Sequence, residues 1–284
     1  MEKVTLIECP RDAMQGIHDF IPTAVKVDYL NLLLKVGFDV LDFGSFVSPK
    51  AIPQLRDTAE VLAQLDLAST KTKLLAIVAN ERGAEDACRF HEITYLGFPF
   101  SVSEQFQLRN TNSTREQSLE RVKGIVDLCA KHNKKAVLYL SMAYGNPYGE
   151  EWSVAIAVEW AAKLKALGVD LIAVSDTIGS SDALSIQTLM GTLVKNLPNT
   201  EFGVHLHSHP LLWQEKMEAA YAAGVRRFDG AIKGFGGCPM AKDDLVGNMA
   251  TENIVSFLES KNVVLPINNA LFLEAQQRAV QIMS

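Results

Sequence analysis

The stretch GVHLHSHP, Gly203 to Pro210, holds three of the chain's six histidines. Along an extended strand the side chains alternate between two faces, so His205 and His207 point the same way. Such a pair can present two imidazoles to one metal ion. It can equally be two buried, hydrogen-bonded histidines with no chemical role. Asp12 and Asn248 tip the balance towards metal. A carboxylate and an amide oxygen added to two imidazoles make a mixed nitrogen and oxygen donor set, which with open positions suits an octahedral divalent ion. Imidazole ligands favour Mn2+ or Fe2+, and Mg2+ is also allowed. Pro210 is expected to end the extended run, so His209 is given no ligand role.

Three further stretches carry reactive groups, each with a plainer reading beside the chemical one. In PRDAMQG, Arg11 could polarise a substrate oxygen while Asp12 binds the ion; the two could also form a structural ion pair. In KGFGGCPMA, three glycines let the backbone approach a ligand or let the loop move. Cys238 there is a candidate proton donor or nucleophile, or an incidental cysteine in a phosphate-cradling loop. In SFVSPK, Ser45, Ser48 and Lys50 could hold a phosphate or carboxylate, or the segment could simply cap the next helix. Both readings stand.

The elements that must position these groups are legible as alternation. Eight β-rich runs recur: VTLIEC, DVLDFG, LLAIVA, EITYLGF, AVLYLSM, DLIAVSD, FGVHLH and RRFDGAI. Amphipathic segments such as TAVKVDYLNLLLKVG and SIQTLMGTLVKNLP separate them. Strand–helix alternation implies parallel strands, and eight units favour a closed (β/α)8 TIM barrel over an open sheet. No composition break divides the chain, so one barrel domain over residues 1–284 is expected, with extra C-terminal helices in TENIVSFLESKN and NNALFLEAQQRAVQIM. In a barrel, polar residues at the C-terminal strand ends face the active site. Those ends offer Glu8, Arg11 and Asp12, then Asp42, Asn80, Ser141, Asp176, and His205 with His207.

Composition narrows the partners. The chain has 284 residues, 48% of them hydrophobic, and a net charge of -6, which argues against general nucleic-acid binding. An anionic substrate would have to be held by local positive groups. The four cysteines include no C-x-x-C pair, which argues against a disulfide framework or a structural zinc site. The opening MEKVTLIEC has no signal-peptide core, and no apolar run is long enough to span a bilayer, so a cytoplasmic protein without a membrane partner is expected.

Taken in order, PRDAMQ, SFVSPK, SDTIG, VHLH, GFGGCP and GNMATEN resemble the 3-hydroxy-3-methylglutaryl-CoA lyase family. That family belongs to a superfamily of metal-dependent barrel lyases and Claisen-type synthases, and the resemblance runs over nearly the whole chain. It implies that Asp12, His205, His207 and Asn248 hold a divalent ion, Mg2+ or Mn2+. Arg11 matches the substrate-polarising arginine and Cys238 the loop cysteine of proton transfer. Gln15, Asn80 and Asp176 match supporting positions. Ser45, Ser141 and Gly237 complete the expected substrate contacts, and Asp42 joins the expected catalytic group. Four positions depart from the family: Ala13 stands for Gly, His18 for Lys, Asp42 for Glu, and HLHSHP for H-x-H-D-T.

The implied reaction is retro-Claisen cleavage of a 3-hydroxyacyl-CoA thioester to acetyl-CoA and acetoacetate, or the corresponding oxo acid. Asp12 or His205 would take the hydroxyl proton, Arg11 would stabilise charge on oxygen, and Cys238 would protonate the enolate carbon. One rival is a Claisen-type condensing synthase, which is expected to carry further C-terminal domains. The other is an acyl-CoA-binding barrel with impaired catalysis, kept open by His18 and Asp42. A homodimer is compatible with either.

Overall fold

Among the described residues the eight β-rich runs become β1 Thr5–Glu8, β2 Val40–Ser45, β3 Lys73–Ile77, β4 Ile93–Ser101, β5 Lys135–Ser141, β6 Leu171–Asp176, β7 Glu201–Ser208 and β8 Arg227–Gly230, and a further strand, β9 Gly247–Asn248, follows them. The computed structural model describes residues 3–237 and 246–283. Each of the first seven strands pairs in parallel with the next, and β8 pairs back onto β1, which closes the barrel. Helices lie between the strands and around the outside, as the alternation predicts, and Thr251–Ser260 and Asn269–Met283 follow as the extra C-terminal pair.

Strand parity sorts the side chains. Ile7, Val40, Leu75, Val137, Leu171 and Ala173 fill the barrel interior as one apolar cluster. Their neighbours Leu6, Leu41, Leu74, Leu138 and Ile172 face outward and join a larger cluster with helix residues such as Leu30, Leu33, Ile125 and Leu164. Each such burial stabilises the fold by about 1.5–3 kcal/mol relative to exposure. The helices start where the sequence supplies caps: Ser153 accepts from the Ile156 amide, and Asp182 and Ser185 form a capping box. The helix Thr23–Val36 ends at Gly37, whose φ of 98° and close approach to the Pro266 carbonyl leave no room for a Cβ.

Two local features set the site. The run after β1 forms a short helix, Pro10–Gln15, with Pro at its first turn. One turn of helix brings Arg11 and Gln15 to the same face. The second feature was not foreseen in the sequence. β9 lies antiparallel on β7 and pairs Asn248 with His207. No described helix is long and apolar enough to cross a membrane.

Candidate active site

Arg11 anchors one side of the C-terminal mouth. Its Nε lies 3.2 and 3.0 Å from the two Asp42 oxygens, and Nη2 lies 2.6 Å from Asp42 Oδ2. Nη1 donates to Asp12 Oδ1 at 2.8 Å and to Gln15 Oε1 at 2.9 Å. A guanidinium has five N–H donors. With Nε, both Nη1 hydrogens and one Nη2 hydrogen engaged, one remains for a substrate. Asp42 is fully buried behind Arg11 and does not line the cavity. It fixes the guanidinium plane through a bidentate pair.

Opposite stand His205 and His207, ring centroids 5.5 Å apart, on the inward parity of β7. Donor atoms of Asp12, His205 and His207 lie within 4.8 Å of one another. Asp229, directly across the β7–β8 register, places Oδ2 3.4 Å from His205 Nδ1. Tyr139 packs edge-on against His205 with centroids 5.7 Å apart. Asn248 reaches the group through its amide nitrogen, 2.7 Å from Asp12 Oδ2 and 2.9 Å from the Phe235 carbonyl. To offer its oxygen to an ion, the amide would turn over.

Protonation states follow from these neighbours. Burial disfavours the Asp12 charge, but Arg11, then His205 and the Asn248 bond, more than offset it and bring Asp12 down to about 2. Burial, helped by the nearby His205, lowers His207 to about 4, so its ring is neutral at pH 7. His207 Nδ1 is buried with no hydrogen-bond partner among the described residues. An ionised carboxylate beside neutral imidazole is the state a divalent ion requires of its ligands. This donor set therefore fits such an ion. His205 is also buried, yet Asp229 and then Asp12 raise it. Burial pushes Asp42 up to about 6 against the pull of Arg11, which still leaves it charged at pH 7.

One cavity collects Arg11, Asp12, Gln15, Ser141, His205, His207 and Gly237 from the residues singled out in the sequence. Others fall elsewhere, each for a local reason. On β6 the inward positions are Leu171, Ala173 and Ser175, so Asp176 faces the helices. There it accepts from Ser181 and from the buried Lys216 Nζ at 2.8 Å, and Ser175 takes the cavity wall instead. Asn80 is spent as the N-cap of Glu81–Cys88, accepting from the Gly83 amide at 2.9 Å. Ser45 is buried, and its hydroxyl accepts from the Val47 amide within its own turn, as Ser48 does from Lys50. The SFVSPK segment thus uses its serines to shape the loop and offers Val47 to the cavity. Glu8 also points away from the barrel interior, where it accepts from the Ile232 amide and the Thr251 hydroxyl. His209 lies past the end of β7, with its Nδ1 accepting from the Leu211 amide. Cys238 lies outside the described residues.

The sequence reading missed Asp229, Tyr139 and Arg109. The first two follow from parity: in RRFDG and AVLYLS they share the inward phase of their strands. Arg109 had no such signal, since it stands in a polar helix.

Comparison with known proteins gives the family and the fold. The sequence profile of the HMGL-like family matches residues 4–278. The hydroxymethylglutaryl-CoA lyase YngG of Bacillus subtilis is 32% identical over 92% of this chain and 87% of its own length. The 3-hydroxy-3-isohexenylglutaryl-CoA/hydroxy-methylglutaryl-CoA lyase of Pseudomonas aeruginosa is 29% identical over 99% of this chain and 93% of its own. The crystal structure of the Bacillus subtilis HMG-CoA lyase superposes with a TM-score of 0.93, covering 100% of this chain and 94% of that one at 29% identity.

Proposed function

The chain belongs to the HMGL-like family, and from that premise we propose that it is a carbon–carbon lyase cleaving 3-hydroxy-3-methylglutaryl-CoA, or a close 3-hydroxyacyl-CoA, to acetyl-CoA and the oxo acid. The observation that carries the reading is the meeting of Asp12, His205 and His207 within 4.8 Å, in the cavity that Arg11 lines. The protein is a single barrel domain acting in a reducing compartment such as the cytoplasm; Cys9, Cys88 and Cys129 are free and buried.

Asp12, His205 and His207 would hold the ion, Mg2+ or Mn2+, with Asn248 as a fourth donor. When bound, a divalent ion acts as a Lewis acid and template for the substrate hydroxyl and carboxylate. The remaining work belongs to side chains. Arg11, held rigid by Asp42 and Gln15, keeps one N–H for an oxygen that gains charge as the C2–C3 bond breaks. The hydroxyl proton passes to Asp12 or His205. Cys238, next in sequence to the cavity-lining Gly237, serves as proton donor to the enolate carbon.

The test is incubation of the purified protein with 3-hydroxy-3-methylglutaryl-CoA and Mg2+ or Mn2+, assaying acetyl-CoA and acetoacetate against a chelated control. Metal-dependent appearance of both products supports the reading. No product with either ion removes this substrate.

A further inference from the structure

The cavity holds two guanidinium groups of opposite circumstance. Arg11 is committed to Asp42, Asp12 and Gln15. Arg109, on the helix Glu104–Thr111, lines the same cavity from the β4 side but is exposed. Its guanidinium carbon stacks over the Tyr148 ring, 4.7 Å from the centroid. Glu104 pairs with Arg115 at 2.9 Å, and Glu150 accepts from the Gln105 amide at 3.0 Å. No described carboxylate pairs with Arg109. A contact over a ring takes no carboxylate or carbonyl partner and leaves N–H donors for a ligand. It also limits the group's motion before any ligand arrives. Asn110, the next residue, adds an amide to the same wall.

A chain of net charge -6 that takes an anionic substrate needs a local cation. Among the described residues lining this cavity, Arg109 is the arginine with no carboxylate partner. We propose that Arg109, with Asn110 beside it, is a specificity-determining residue that binds an anionic oxygen group of the substrate. The inference rests on the acyl-CoA reading above and deepens it. An acyl-CoA of this kind has two sources of such a group, the acyl carboxylate and the phosphates of the carrier.

Arg109→Gln and Arg109→Lys separate these. KM would be measured for the coenzyme A thioester of 3-hydroxy-3-methylglutarate and for its pantetheine thioester, which lacks the nucleotide phosphates. Loss of a charge-assisted contact should raise KM about tenfold in Arg109→Gln, with Arg109→Lys intermediate. A rise with both thioesters assigns the acyl carboxylate. A rise confined to the coenzyme A thioester assigns a phosphate. Unchanged KM for both overturns the proposal. Should the wild type cleave neither thioester, the lyase reading fails, and calorimetry still decides the contact. Coenzyme A or free 3-hydroxy-3-methylglutarate must then bind more weakly to Arg109→Gln than to wild type. Equal affinities, or no binding to either protein, overturn it.

Discussion

Asp229 faces His205 across the β7–β8 register, with Oδ2 3.4 Å from Nδ1. That contact assigns Nδ1 to the barrel interior and leaves Nε2 as the nitrogen for the cavity. A carboxylate behind an imidazole fixes its tautomer and raises its basicity towards an ion. Asp229→Asn keeps the volume but removes the charge. Mn2+ affinity, followed by titration, should fall by roughly 10–100-fold. Unchanged affinity would mean that Asp229 only fills the barrel.

The ligand set makes its own prediction. Asp12→Asn removes the carboxylate that Arg11 and Asn248 hold in place. Mn2+ should bind wild type at one ion per chain, and Asp12→Asn should show no saturable binding in the same concentration range. His207→Ala should behave alike, since it withdraws a neutral ring nitrogen. Wild-type affinity in both variants would place the ion elsewhere.

Lys216 and Asp176 are both 1% exposed in their side chains and paired at 2.8 Å, and Lys216 also donates to the His207 carbonyl at 2.9 Å. Removing one partner strands the other charge. Lys216→Met should destabilise the protein by about 3–5 kcal/mol in urea unfolding. Adding Asp176→Asn should recover a large part of that loss, because the orphaned charge goes with it. Additive losses would mean the pair is not coupled.

Parity explains what the sequence made legible. His205 and His207 were found because two residues apart on a strand means one face, and the closed barrel then brings Asp12 to them. The same rule, applied one residue out of phase, misplaced Asp176: the inward residue of SDTIG is Ser175. Asp229 carries no local signature, and only its register with His205 shows its role. Asn248 was legible as a residue type, but its position opposite His207 depends on β9, a two-residue strand too short to carry a periodicity. Asn80 and Ser45 lost their expected roles to backbone amides, a local competition that residue type alone does not reveal.

Glu8 gives a pH prediction away from the cavity. It is buried on the outer face of β1, and burial raises it from 4.5 to about 8 against the Thr251 and Ile232 bonds. The folded chain thus holds this proton more tightly than the unfolded chain. The stability it contributes is fully present below about 4.5 and is lost as pH rises through about 8. Glu8→Gln keeps the shape and cannot titrate. Its melting temperature relative to wild type should therefore climb between pH 5 and pH 8. A constant difference by calorimetry would show that Glu8 is already ionised in the fold.

Asp42 and His18 depart from the lyase pattern, and from sequence alone each is expected to slow cleavage or redirect it to a related 3-hydroxyacyl-CoA. Their settings differ. The His18 side chain is fully exposed, lies 3.3 Å from Asp19 and does not line the cavity. Restoring lysine there adds a charge in water, and surface substitutions of this kind seldom move stability by more than about 0.5 kcal/mol. Asp42 is fully buried and already grips Arg11 through both oxygens. Glutamate would need room for one more methylene behind Arg11, and overpacking a buried site costs about 1–3 kcal/mol. It would also move the guanidinium, and a displacement of about 1 Å can cost on the order of 100-fold in rate. Cleavage of 3-hydroxy-3-methylglutaryl-CoA should therefore be unchanged in His18→Lys and slower in Asp42→Glu, measured as kcat/KM. A faster Asp42→Glu enzyme would mean that the shorter carboxylate is a defect that the Arg11 pairing does not compensate.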